Sequence, residues 1–263
     1  MPFYEYNAYE SLSLRDKTED LGLQIARGQI EGHEIRHIFG YNPDVDSGVQ
    51  ETIWTAGGLY SHLASPAIMT VSSSSTSDTA NGTGARSVYI LGINSTGGEV
   101  NEIVTLNGQT AVNTVHTYTE IQSANVVTVG SGGKNAGNIN IGTGTVTSGV
   151  PANIYGHILA SENKSLMGHQ TIPLGYKGYL ISGNMSVGAT TANKNIVGRL
   201  IIRQNDIIYT GAIVTFGSGV AAYDFKYPLM IPSGACISAT ALSTTDNEAI
   251  SSYFQLLLIK DYP

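Results

Sequence analysis

Cysteine is almost absent from this sequence of 263 residues, as are clusters of positive charge. The one cysteine, Cys236, excludes an intramolecular disulfide, and no cysteine-based metal site is expected. It lies in the apolar stretch 235–237 and is expected to be a small buried hydrophobic residue. Lys and Arg number 13 against 20 Asp and Glu, and they form no basic cluster. Binding to nucleic acid through its phosphates is therefore not expected.

Long apolar runs are also lacking. No run approaches the ~18 apolar residues that a membrane-spanning helix needs. The longest run, 256–259, is expected to be a buried strand. The first six residues lack the basic region and apolar run of a secretory signal. We therefore expect a protein that is soluble when made and has no membrane partner.

Charge is scarce and unevenly distributed. Charged residues make up 13% of the chain, about half of the usual share. Residues 1–51 nevertheless hold ten acidic and four basic side chains, whereas the rest of the chain holds ten and nine. This contrast predicts a solvated N-terminal arm at residues 1–50, followed by a nearly neutral β body. Such an arrangement is more typical of an assembly component than of a metabolic enzyme.

The predicted arm contains the only predicted helix, at residues 16–27. Acidic residues cluster at its start and Arg27 is followed by Gly28, matching the helix dipole and a glycine stop. The helix is short, so we expect it to be stable only when docked. Aromatic residues at the N-terminal tip are suited to anchor a neighbouring subunit. The candidate interface residues are Phe3, Tyr4, Tyr6, Tyr9, Leu21, Leu23, Ile25 and Trp54.

Strand patterns dominate from Thr52 to the end of the sequence. Residues 51–150 are predicted to form a β domain with glycine- and serine-rich loops at 72–84 and 130–149. Residues 151–263 contain about eight strand patterns separated by turn signals. Eight short antiparallel strands are typical of a sandwich, and a jelly roll is the obvious candidate. The predicted fold is all-β, with antiparallel β-sandwiches, a jelly-roll-like C-terminal part and an N-terminal arm carrying one short helix.

Trp54, the only tryptophan, lies where the arm joins the β body. A core anchor at this junction is the favoured interpretation, ahead of a platform on which a ligand stacks.

The sharpest chemical motif is an H-E-x-x-H formed by His33, Glu34 and His37. On a helix this spacing places both imidazoles on one face to bind zinc, with the glutamate as general base. Glycines bracket the motif and Pro43 follows, which leaves room only for a short helix. A zinc site needs a packed helix and a third ligand. A surface segment that enters the β body is therefore the favoured interpretation.

The segment that follows looks like the start of an EF-hand loop. However, Ser47 occupies the position that needs glycine, and Ile53 lies where the bidentate glutamate should be. Asp44 and Asp46, helped by Glu51, are candidate ligands for a cation. A capped turn between the arm and the body is the favoured alternative.

No catalytic set emerges elsewhere in the sequence. The sequence has no G-x-S-x-G nucleophile elbow. The remaining histidines, without an evident serine or cysteine partner, are His62, His116, His157 and His169. We therefore predict a non-enzymatic protein without catalytic residues, cofactor or bound metal.

Several segments together carry a family resemblance. Residues 27–60 contain Gly-His-Glu, Asn-Pro-Asp-Val-Asp and Glu-Thr-Ile-Trp-x-x-Gly-Gly-x-Tyr. Residues 78–86, 105–112 and 130–137 read DTANGTGAR, TLNGQTAV and GSGGKNAG. These segments resemble virion structural proteins of tailed bacteriophages, especially phages of marine and cyanobacterial hosts. The resemblance covers roughly residues 27–260 and is looser after residue 150.

Proteins of this type are described as capsid decoration (cement), tail-fibre or generic structural proteins, and no catalytic residues come with the resemblance. It implies a capsid decoration protein on the outer surface of the virion, assembled in the host cytoplasm. The β body would be a homo-oligomer such as a trimer, with the arm contacting major capsid subunits. A tail-fibre or baseplate adaptor that contacts host glycan or another tail protein is the alternative. A zinc peptidase is the least favoured hypothesis.

Overall fold

The computed structural model describes residues 20–188 and 194–261. This part of the chain contains one helix and sixteen strands, and the strands form four antiparallel sheets around two hydrophobic cores. The elements are α1 (Leu21–Ala26), β1 (His33–Val45), β2 (Gln50–Thr52), β3 (Ala67–Ser73), β4 (Ala85–Ile93), β5 (Glu99–Thr105), β6 (Val112–Tyr118), β7 (Glu120–Val129), β8 (Ile139–Thr147), β9 (Val150–Ile158), β10 (His169–Thr171), β11 (Tyr176–Val187), β12 (Ile196–Gln204), β13 (Ile207–Phe216), β14 (Gly219–Ile231), β15 (Cys236–Ser243) and β16 (Glu248–Lys260). The predicted all-β fold with one short helix near the N-terminus is confirmed. No helix among the described residues is long and apolar enough to cross a membrane.

The first sandwich is a jelly roll. One sheet has the strand order β1-β16-β11-β14, and the facing sheet has the order β10-β15-β12-β13, with β2 also paired to β15. The eight main strands therefore pass between the two sheets in the order that two Greek keys require. Along β16, every second side chain from Ile250 to Leu258 is buried in the shared core. The alternation seen in the sequence is the physical basis of this sandwich.

The β body begins earlier than predicted. Residues 33–50 belong to the predicted arm, yet β1 pairs with β16 from His33↔Ile259 to Val45↔Glu248, and β2 pairs with β15. The jelly roll is thus built from both parts of the chain, with a second sandwich inserted between β2 and β10. The charge of β1 misled the prediction, because charged side chains are usual on an edge strand such as this one. Residues 1–19 of the predicted arm lie outside the described residues.

The inserted sandwich consists of β3–β9. Its sheets have the strand orders β6-β3-β8-β9 and β5-β4-β7. They enclose a second core that includes Met69, Ile90, Tyr118 and Ile141. All of its strand pairings are antiparallel. It is contiguous in sequence, unlike the jelly roll that flanks it.

A buried aspartate fixes the two glycine- and serine-rich stretches of the inserted sandwich. The Asp78 carboxylate accepts hydrogen bonds from the Ser73 hydroxyl (2.6 Å) and from the backbone N–H of Ala85 (2.7 Å), Ala136 (2.8 Å) and Gly137 (2.9 Å). The residue is completely buried. A buried carboxylate is tolerated only when donors satisfy it. These stretches are therefore joined through one acceptor instead of being independent surface loops.

The helix α1 ends where the sequence predicts. The Asp20 side chain caps its start by accepting a hydrogen bond from the Leu23 N–H at 3.1 Å. At its end Gly28 has a φ of 70°, and the Gln29 N–H reaches back to the Gln24 carbonyl at 3.0 Å. This is the glycine-terminated Schellman arrangement. Residues 16–19 of the predicted helix lie outside the described residues.

Candidate functional site

The H-E-x-x-H motif lies on the strand β1 and not on a helix. Residues four apart on a strand stand about 13 Å apart, so His33 and His37 do not share one zinc ion. His37 Nδ1 is hydrogen-bonded to the Tyr253 hydroxyl at 2.8 Å. The Glu34 carboxylate accepts two hydrogen bonds from Arg36, at 2.6 and 2.8 Å. The peptidase interpretation of this motif is therefore wrong, because pairing with β16 sets the local conformation.

The proposed cation ligands around Asp44 belong to a capped turn. The buried Glu51 carboxylate accepts hydrogen bonds from Asn42 Nδ2 (2.9 Å), the Asp46 N–H (2.8 Å) and the Gly58 N–H (2.7 Å). The Asn42 side chain in turn accepts from the Asp44 N–H at 3.0 Å. The negative charge of Glu51 raises the pKa of the exposed Asp46 above its usual value. The geometry agrees with the favoured alternative to a cation site.

The candidate interface residues fall into three groups. Those outside the described residues are Phe3, Tyr4, Tyr6 and Tyr9. Leu21 and Leu23 on α1 are 61% and 44% exposed and accessible to a partner. Ile25 and Trp54 are 5% and 4% exposed, so neither is available to a partner. Trp54 packs edge-on against Tyr60 in the core of the inserted sandwich, where its large apolar area is buried.

An exposed apolar surface lies on β13 and β14 instead. These strands are the neighbouring edges of the two jelly-roll sheets. We define the β13–β14 surface by its large exposed apolar side chains, which are Ile207, Ile208, Tyr209, Ile213, Val220, Tyr227 and Met230. Long apolar edge strands offer unpaired backbone groups together with apolar area, which is the usual setting for pairing with another chain. The sequence identified both strands but not which of their side chains lie outside.

The two sandwiches meet along a polar seam. Arg36 on β1 forms a two-pronged ion pair with Glu99 on β5, at 2.6 and 2.8 Å. The Arg36 side chain is only 13% exposed. Nearby, the Gln122 side chain on β7 donates to the Thr171 carbonyl of β10 at 3.0 Å. Directed polar contacts of this kind fix one sandwich against the other.

Two clefts open along this seam. The larger has a volume of ≈ 570 Å³, and its lining includes Phe39, Tyr89, Asn101 and Lys164. The Lys164 ammonium lies 5.0 Å from the centre of the Phe39 ring, and the Tyr253 ring packs against the same phenyl group at 5.1 Å. A cleft that combines aromatic rings with hydrogen-bonding groups can bind a polar ligand that also has an apolar side to stack on the rings.

The smaller cleft has a volume of ≈ 470 Å³ and is lined in part by His62, Glu120 and Cys236. His62 Nδ1 lies 3.0 Å from Glu120 Oε2. Burial, assisted by the charge of Glu120, raises the pKa of the Cys236 thiol to about 12. Burial lowers the pKa of His169, which lies 3.5 Å from the same carboxylate. Sequence reasoning missed this group because its members come from segments far apart in the chain.

Another histidine is buried within the inserted sandwich. His157 on β9 is hydrogen-bonded through Nδ1 to the Thr55 hydroxyl at 2.8 Å. Burial lowers the pKa of His157 to about 4. It is therefore a neutral core residue at physiological pH.

No family model and no curated protein matches this chain. Among solved structures, the chain is similar to the infectious bursal disease virus VP2 subviral particle, with 10% identity, a TM-score of 0.23, and coverage of 88% of this chain and 73% of that chain. It is also similar to the structure of the infectious bursal disease virus Gx strain, with 11% identity, a TM-score of 0.25, and coverage of 89% and 74%. At such low TM-scores, these likenesses carry no argument about what this chain does.

Proposed function

We propose that this chain is a structural component of a virion, namely a capsid decoration protein that acts as a homo-oligomer. The observation that carries the proposal is the β13–β14 surface, on which seven large apolar side chains are exposed. Groups of exposed large apolar side chains often mark sites where proteins associate. A chain with this surface is suited to assembly.

A second copy of the chain is the partner that fits the β13–β14 surface. The surface combines apolar side chains with the free edge of each sheet, so the same patch on two copies is self-complementary. Burying one exposed Ile or Leu side chain contributes about 1.5–3 kcal/mol. Burial of several such side chains favours association, which must offset the cost of ordering the contact. The inserted sandwich lies outside this contact and remains free to face other partners.

The segment before β1 supplies the proposed contact with capsid subunits. Leu21 and Leu23 project from α1 and are exposed, although the helix itself is held against β1 through the buried Ile25. Two leucines on a capped helix form a small apolar element that a groove on a neighbouring protein can cover. The resemblance of residues 27–60 to phage virion proteins supports a capsid subunit as that neighbour.

Imaging of the intact particle tests this proposal. A decoration protein is expected in many copies spread over the shell, with the jelly roll outside and α1 against the major capsid protein. Location of the chain only at the tail, or its absence from the particle, would overturn the assignment.

A tail-fibre or baseplate adaptor is the second candidate, and the ≈ 570 Å³ cleft is the observation that favours it. The exposed Phe39 ring beside Lys164 offers a stacking face and a donor, as a glycan requires. Phe39→Ala should abolish glycan binding on a glycan array, whereas the comparably exposed Ile68→Ala on the inserted sandwich should not. Absence of glycan binding by the unmodified chain argues against this candidate and leaves decoration in place.

A further inference from the structure

A cluster of histidine, glutamate and cysteine lies on the seam between the sandwiches. His62 precedes β3, Glu120 begins β7 and Cys236 begins β15. The imidazole nitrogen, a carboxylate oxygen and the thiol sulfur all lie within 4.8 Å of one another. Glu120 and Cys236 are 6% and 5% exposed, and the His62 side chain is 17% exposed. Nitrogen, oxygen and sulfur donors of these three kinds are the ligands that zinc takes in proteins.

One buried oxygen of this cluster lacks a hydrogen-bond donor among the described residues. Glu120 Oε1 is completely shielded from solvent and has no such partner. His169 Nε2 lies 3.5 Å away but is hydrogen-bonded to the Ile121 carbonyl at 2.8 Å. Because a carbonyl only accepts, Nε2 must carry the proton. A buried carboxylate oxygen without a donor costs free energy, and a cation at the cluster removes that cost.

We propose that His62 Nδ1, a Glu120 carboxylate oxygen and Cys236 Sγ bind one divalent metal ion of the zinc class. Zinc bonds of ~2.0–2.3 Å place tetrahedral ligand atoms ~3.3–3.7 Å apart. The widest separation in the cluster must therefore shorten by about 1 Å, which is within the reach of a cysteine rotation. The fourth position faces the ≈ 470 Å³ cleft and takes a water molecule.

The charges of the cluster balance on metal binding. The ion replaces the thiol proton of Cys236, which leaves to solvent, and the thiolate and carboxylate together neutralise the two positive charges. Arg203 lines the same cleft, but its guanidinium is paired with Asp206. Metal binding therefore competes with the proton on the Cys236 thiol. Affinity should therefore rise with pH.

Residues behind the ligands hold them in place. The Tyr60 ring packs against His62, with ring centres 5.2 Å apart, and against His169 at 4.0 Å. His169 lies behind the cluster, with Nε2 3.5 Å from Glu120 Oε1 and hydrogen-bonded to the Ile121 carbonyl. Cys236 belongs to the jelly roll, whereas Glu120 belongs to the inserted sandwich. A bound ion would therefore join the two sandwiches at the seam.

Cobalt titration of the full chain, stripped of metal under reducing conditions, tests this inference. We expect a thiolate-to-cobalt charge-transfer band that saturates at one Co²⁺ per chain and disappears on addition of Zn²⁺. We also expect Zn²⁺ to raise the Tm, because an ion that binds the folded state alone stabilises it. Cys236→Ser should remove the band and the Tm shift, with Cys236→Ala as a second variant should the serine chain fail to fold. His62→Gln should weaken binding by at least about tenfold.

His37→Gln is the matched control, because it removes an exposed histidine on β1 and leaves the cluster intact. The band and the Tm shift should be unchanged in it. Absence of a thiolate band in the unmodified chain overturns the inference, and so does a band that survives in Cys236→Ser. Neither result depends on whether the chain lies on a capsid, since the readouts need only the purified protein.

Discussion

The jelly roll exposes apolar side chains on two neighbouring edge strands, whereas the inserted sandwich buries a carboxylate among its glycine- and serine-rich turns. Burial of the exposed apolar side chains of the jelly roll against another chain would be favourable. The inserted sandwich uses polar groups to fix the turns of its own chain. Substitutions in the two regions should therefore fail differently, with lost association in one and lost folding in the other.

The largest effect is expected at Asp78 in the inserted sandwich. In the unmodified chain the Asp78 carboxylate accepts hydrogen bonds from buried donors. Asp78→Asn places an amide NH₂ against some of these donors, and should lower the free energy of unfolding by about 3–5 kcal/mol. Denaturant titration followed by circular dichroism measures this loss. Asp224→Asn, at an exposed aspartate of β14, should change the free energy of unfolding by less than about 0.5 kcal/mol. A similar small change for Asp78→Asn would contradict the role of this residue.

The next largest effect is expected on the β13–β14 surface. Ile208 is 61% exposed, so Ile208→Asp should leave the monomer stable while placing a charge in the proposed contact between copies. We expect association to weaken by at least about 100-fold, since a buried unpaired charge costs several kcal/mol. Light scattering after size exclusion reports the mass.

Val115→Asp is the matched control for this surface, because Val115 is 83% exposed on the inserted sandwich. Its mass should equal that of the unmodified chain. If Ile208→Asp also keeps that mass, copies of the chain do not associate through β13 and β14.

A smaller effect is expected at the seam that links the two regions. A double-mutant cycle of Arg36→Gln and Glu99→Gln should give a coupling energy of about 1–2 kcal/mol, because the pair is two-pronged and partly buried. The exposed pair of Arg203 and Asp206 should give less than about 0.5 kcal/mol in the same cycle. Equal coupling energies in both cycles would contradict a role of the Arg36–Glu99 ion pair in holding the two sandwiches together.

The smallest effect is expected from the buried His157. Its pKa of about 4 in the folded chain lies below the 6.5 of an unfolded histidine, so the unfolded chain binds more protons between these values. Stability is then fully present above pH 6.5 and falls as the pH drops toward 4. At pH 5.5 we expect a loss of about 1 kcal/mol from this residue.

His157→Gln should flatten that part of the pH profile, measured by denaturant titration at several pH values. An unaltered slope in His157→Gln would show that folding does not change proton binding by this residue.

The sequence predicts the fold class well, because alternating apolar residues such as those of β16 are a local signal. It misplaces the start of the β body because the partner of β1 lies more than two hundred residues further on, as the pairing of His33 with Ile259 shows. Local charge and glycine content carry no information about such a pairing. The same pairing explains why the i, i+4 spacing of His33 and His37 resembles a zinc motif without forming one.

The sites are less accessible to sequence reasoning than the fold. Ile207 and Ile208 lie in a strand pattern that does not show which side chains are buried, and only the closed sandwich shows that both are exposed. The cluster of His62, Glu120 and Cys236 comes from three separate segments that the fold brings together. By contrast, Gly28 marks the end of α1 through its own backbone preference, and that stop was predicted correctly.

The insertion of one sandwich into the other also sets an order of events during synthesis. β3–β9 are contiguous, so the inserted sandwich has all of its strands as soon as β9 leaves the ribosome. β1 emerges earlier still but must wait for β16, and contacts between such distant segments form slowly. During this interval β1 is an unpaired strand with an exposed edge, the kind of segment that chaperones protect during folding. The jelly roll is therefore the part of this protein whose maturation is most exposed to aggregation in the cell.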